Sequence, residues 1–82
     1  MSDIAEVFDA IAGERAYQIG KYGSDAARNL SIGDYLVILR QELSEAEQAF
    51  VRESAAAALL ELLQVAAVAV ACLERHGVVR RG

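Results

Sequence analysis

Eighteen consecutive residues, Ala55 to Cys72 (AAAALLELLQVAAVAVAC), are interrupted by only two polar side chains, Glu61 and Gln64. A helix apolar on nearly every side must be enclosed, by lipid or by protein. A carboxylate near the middle of a membrane span costs roughly 2.5–3.5 kcal/mol on insertion scales, and most of the run is weakly apolar alanine. The segment is therefore expected at the centre of a helical bundle, with no membrane involved. A chain of 82 residues is too short to enclose such a helix by itself. Its apolar share of 55% is expected to be covered by further copies, as a homodimer or homotetramer.

The remainder of the chain favours helix as well. Proline is absent, and Ala, Leu, Glu, Arg and Gln, all good helix formers, dominate. The expected fold is all-α: one domain over residues 1–82, with an N-terminal helix and a helical hairpin, assembling into a multi-subunit helical bundle. Ser2 is placed to cap a first helix running to about Gly20, with Ile4, Val7, Phe8, Ile11 and Ile19 as its apolar positions. Gly13 lies within it as a point of weakness that leaves room for a bend or a nearby break. Gly20, Gly23 and the polar stretch Ser24 to Asn29 read as a loop. Ser31 stands three residues ahead of Asp34, the spacing of a capping box. A second helix then carries Tyr35, Leu36, Leu39, Leu43, Ala46 and Phe50. A third ends at Arg75-His76-Gly77, where basic groups meet the negative helix end and glycine closes it. Between them Arg52-Glu53-Ser54 is the only polar patch suited to a turn, with Ser54 as the new cap.

The net charge of -4 argues against a nucleic acid polymer as partner, since phosphate backbones require a basic surface. Cys72 is alone, which excludes an internal disulfide framework, fits a reducing compartment and suits a small packed hydrophobe. The start, Met1-Ser2-Asp3-Ile4-Ala5-Glu6, is acidic and polar. No signal peptide is expected, and the expected location is cytoplasmic.

Chemistry concentrates in the acids. Glu42 and Glu45 lie three apart on the second helix; Glu61 and Gln64 repeat that spacing on the third. Like charges so spaced repel by roughly 0.2–0.5 kcal/mol unless something positive lies between them. A hairpin folded at residue 53 places Glu45 level with Glu61, each eight residues from the turn, and Glu42 level with Gln64, each eleven away. One unbroken helix would separate Glu45 from Glu61 by about 24 Å, so turn and site stand or fall together. An oxygen cluster without His or Cys suits a hard ion, Mg²⁺ or Mn²⁺. Glu47 and Glu53 read as an ordinary solvated face, His76 as a helix-end residue, and Arg80 and Arg81 as a solvated tail.

The segment from Tyr35 through Glu42 and Glu45 to Ala46, followed by Glu61-Leu-Leu-Gln64-Val-Ala-Ala-Val, resembles the MazG-like all-α nucleoside triphosphate pyrophosphohydrolases. That superfamily is marked by ExxE, a spacer and ExxD. Upstream, Glu14-Arg15-Ala-Tyr-Gln18-Ile-Gly-Lys21-Tyr22-Gly23 is similar to the stretch preceding the metal helices in small phage-type members. The resemblance spans about residues 11 to 76. It implies an enzyme that splits NTP or dNTP between the α and β phosphates, giving NMP or dNMP and pyrophosphate. It also implies Mg²⁺ held by Glu42, Glu45 and Glu61 as the catalytic acids, one of which can instead act as general base. Arg15, Gln18 and Lys21 are the candidates for phosphate or base contacts. Gln64 stands where the family carries its last acid; its amide oxygen can still ligate or position a water but adds no charge. That departure opens an alternative, a non-catalytic helical bundle that binds a nucleotide or a partner protein.

Overall fold

The computed structural model describes residues 1–23 and 29–82. Among them the chain forms three helices and no strand: α1 (Ile4–Tyr22), α2 (Ile32–Arg52) and α3 (Ala55–His76). The all-α expectation holds. Most of the expected loop, residues 24–28, lies outside the described residues.

Local signals explain where each helix starts and stops. The cap of α1 is Asp3 rather than Ser2: its carboxylate accepts from the backbone N–H of Glu6 at 2.8 Å. Both residue types cap well, and the carboxylate adds a negative charge at the positive helix end. The helix continues through Gly13 without a break, and past Gly20 to Tyr22. Gly23 ends it at φ 83°, donating its N–H to the Ile19 carbonyl at 2.9 Å. Gly13 and Gly20 each cost about 1 kcal/mol relative to alanine, which the remaining seventeen residues absorb. At α2 the capping box is formed in full. Asp34 N–H donates to Ser31 Oγ at 3.0 Å, and Ser31 N–H donates to the Asp34 carboxylate at 2.9 Å. The Ser31 backbone N–H, followed by the Ser31 hydroxyl, holds the Asp34 carboxyl below the usual carboxylate range.

The turn between α2 and α3 consists of Glu53 and Ser54. Both donate their N–H to the Ala49 carbonyl, and Ser54 Oγ accepts from Ala57 N–H at 3.0 Å, opening α3. At the far end Gly77, at φ 99°, closes α3 by donating to the Leu73 carbonyl at 2.8 Å.

The interior differs from the expected stripes. Among the described residues the buried apolar ones are Tyr35, Ala46, Ala49, Ala67 and Ala71, and Tyr35 alone of these is large. The seam between α2 and α3 is filled mainly by alanines, with Leu39 and Leu63 half-buried beside them. Leu36, Leu43 and Phe50 of α2 are exposed, as are Ile4, Val7, Phe8 and Ile19 of α1. The apolar spacing marks faces that one chain does not cover. The Cα radius of gyration, 13.4 Å, exceeds the roughly 11.7 Å of a compact domain of this length. By length and composition α3 is also apolar enough to cross a membrane, with Glu61 inside it.

Polar clamps fix α1 and the start of α2 on α3. Arg15, 6% exposed, donates through Nε and Nη2 to the two oxygens of Glu74 at 3.1 and 3.3 Å. His76 Nε2 lies 2.9 Å from the Leu30 carbonyl, which requires the tautomer protonated there, and its ring meets Tyr35 edge-on at 6.0 Å. Arg75 donates to the Asn29 side chain at 3.1 Å. His76 thus keeps its helix-end role, with a tethering bond in addition.

Candidate functional site

Because the helix breaks at Glu53–Ser54, residues equidistant from the turn meet. Glu42, Glu45 and Glu61 each present one carboxylate oxygen within 4.8 Å of the others. Oxygens bound to one octahedral Mg²⁺ at about 2.1 Å lie about 3.0 Å apart when adjacent and about 4.2 Å when opposite, so the three carboxylates stand wider than a filled site and would close inward on an ion. One oxygen of Glu42 and one of Glu61 are shut off from solvent and have no hydrogen-bond partner. Buried carboxylate oxygens without a donor are costly, and a cation between them removes the cost. Glu45 is exposed, so the cluster opens to water on that side. Burial first, then the charges of Glu45, Glu61 and Glu14, pushes the Glu42 carboxyl above its ordinary range.

Beside the acids lies a cleft of about 320 Å³ between α1 and the hairpin, lined by Glu14, Gln18, Lys21, Tyr35, Glu42 and Gln64 among others. All four expected substrate-contact residues, Arg15, Gln18, Lys21 and Gln64, are thereby brought to the same space as Glu42. Lys21 Nζ lies 5.1 Å from the Tyr22 ring centre and 5.9 Å from that of Tyr17. Its hydrogen bond with Tyr22, followed by the influence of Tyr17, raises its pKa and keeps the ammonium charged. Arg15 also lines the cleft, but its guanidinium is already engaged by Glu74 and, at 3.4 Å, by the side-chain oxygen of Gln18. Its observed work is to hold α1 against α3. On the other side, Glu45 and Glu61 border a second opening with Gln48 and Arg52.

Two residues of this neighbourhood were not among the expected site residues. Glu14 lines the cleft and acts on Glu42; its signal was its place at i−4 and i−7 from Gln18 and Lys21, the same face of α1. Glu74, the partner of Arg15, is 59 residues distant, and no local pattern announces it. Compared with known family profiles, with curated proteins and with solved structures, the chain matches none.

Proposed function

We propose that the chain is a Mg²⁺-dependent nucleoside triphosphate pyrophosphohydrolase, adding water across the α–β phosphoanhydride to give a nucleoside monophosphate and pyrophosphate. The observation that carries this reading is the Glu42/Glu45/Glu61 cluster, with two buried oxygens lacking donors, beside a cleft lined by the Lys21 ammonium. These acids fit a hard ion: they offer oxygen alone, and solvent access at Glu45 leaves room for waters. Bound there, Mg²⁺ supplies charge neutralisation on the triphosphate and activation of water.

The chain's own residues do the rest. Lys21 offers a positive charge to phosphate oxygens, and Gln18 and Gln64 offer amide donors to phosphate, sugar or base. The rings of Tyr17 and Tyr22 offer faces to a base, and Tyr35 walls the cleft. Gln64 favours a second reading, nucleotide binding without turnover, since it leaves the site one charge short of the family pattern.

Product analysis separates the two. Incubation with a panel of NTPs and dNTPs is expected to release pyrophosphate and monophosphate in equal amounts, and only with Mg²⁺ or Mn²⁺. Bound but uncleaved nucleotide would establish the second reading, and absence of any nucleotide binding would remove both.

A further inference from the structure

A buried guanidinium needs a carboxylate, and the Arg15–Glu74 pair reaches a third side chain as well. Among the described residues Arg15 is the only charged one that is buried. Its Nε and Nη2 donate to the two oxygens of Glu74, while Nη1 faces Gln18 Oε1 at 3.4 Å. Glu74 lies near the end of α3, and Arg15 and Gln18 lie on α1, so this relay forms only when the two helices dock. Its inner end is in the cleft. Gln18 is half-buried and lines the space shared with Lys21, Glu42 and Gln64.

We infer that Glu74 is a positioning residue for the cleft: through Arg15 it fixes the Gln18 amide with its oxygen toward the guanidinium and its NH2 offered to the cleft as a hydrogen-bond donor. A guanidinium carries five N–H donors and no acceptor, so only the oxygen of an amide can bond to it. The flipped amide would set NH2 against N–H and lose that bond. An unrestrained glutamine presents either atom at one place by a half turn about its last side-chain bond. Here Arg15 opposes that half turn, and two parallel bonds to one carboxylate hold Arg15 itself in place.

The consequence is a preference in ligand chemistry. Gln18 and Lys21 stand three apart on one face of α1, and both then present donors. The ligand group that meets them must be an acceptor: a phosphate oxygen, or a carbonyl or ring nitrogen of a base. A group that donates at that point meets another donor. The identity of the acceptor rests on the nucleotide reading above; the orientation of Gln18 does not.

The orientation is tested without ligand by ¹⁵N NMR of the Gln18 side-chain NH2. Glu74→Gln and Arg15→Lys, with helical circular dichroism retained, are each expected to move that signal. A Gln18 signal unmoved in both would overturn the inference, whether or not nucleotide binds. Calorimetry with a non-hydrolysable triphosphate analogue and Mg²⁺ reads the consequence. Gln18→Met, neutral and of similar length, is expected to weaken binding about tenfold, and Glu74→Gln about fivefold. In a Gln18→Met background Glu74→Gln is expected to cost nothing further, because the relay has lost its end. A merely structural Glu74 would cost as much there as in wild type, and that result sinks the inference. Inorganic triphosphate distinguishes the acceptor: a matching loss in Gln18→Met assigns it to phosphate, and an unchanged affinity to base or sugar. If wild type binds no analogue, the nucleotide reading falls and the NMR result alone decides the relay.

Discussion

Glu61→Gln is expected to abolish Mg²⁺-dependent hydrolysis while making the ion-free protein harder to melt. The two effects share one cause. Glu61 contributes a buried oxygen without a donor to a cluster of three carboxylates within 4.8 Å. Without an ion those charges repel, by about 1 kcal/mol per pair even at the dielectric of water, and neutralising one relieves part of that. With the ion, the same substitution removes one of three charged ligands, and with it charge neutralisation and water activation. Activity is expected to fall at least about a thousandfold, some 4 kcal/mol of transition-state stabilisation. Thermal melting with and without Mg²⁺ checks the companion effect: wild type gains with Mg²⁺, the variant does not, and the variant starts higher. A solvated acidic face with no ion would give neither the activity loss nor the Mg²⁺-linked difference.

Tyr35→Ala is expected to cost about 3–5 kcal/mol, a range typical of buried aromatic truncations. Tyr35 is 1% exposed and, among the described residues, is the only large side chain wholly inside; the other buried apolar residues are alanines that cannot move in to fill its place. Its ring also meets His76, whose bond to Leu30 ties the start of α2 to the end of α3. A chain this small has few kcal/mol in reserve, so the loss brings it near unfolding. Tyr35→Phe keeps the ring and is expected to lose far less. Urea unfolding of the two variants checks the pair, and equal losses would show that the ring does not carry the packing.

The features legible in the sequence are those encoded by neighbours in the chain. Ser31 with Asp34, Ser54 with Ala57, and Gly77 after His76 are local hydrogen-bonding devices, and each is found as its spacing implies. Counting outward from residue 53 worked for Glu45 and Glu61 because the Glu53–Ser54 turn is so short that it fixes the register of the two helices. The cap of α1 slipped by one residue because Ser2 and Asp3 are equally competent. What covers each apolar face was not legible for a physical reason: apolar periodicity identifies a face, not what covers it. In a hairpin zipped by Ala46, Ala49, Ala67 and Ala71 the large side chains turn outward. Arg15 was legible as a cation near the site but not as the partner of Glu74, because that pairing arises only when α1 docks on α3.

The central claim is that Glu42, Glu45 and Glu61 together hold a divalent ion. Calorimetric titration of Mg²⁺ or Mn²⁺ into wild type carrying a non-hydrolysable triphosphate analogue measures it directly. The account predicts saturable binding that disappears in Glu61→Gln. It also predicts a pH dependence of fixed sign. The Glu42 carboxyl, raised by burial and its acidic neighbours, holds its proton to higher pH than an ordinary glutamate. Ion and proton compete for that carboxylate, so affinity falls as pH drops through its raised pKa, and binding there releases a proton. Absence of ion binding by wild type with the analogue present, or binding of equal strength in Glu61→Gln, would contradict the account.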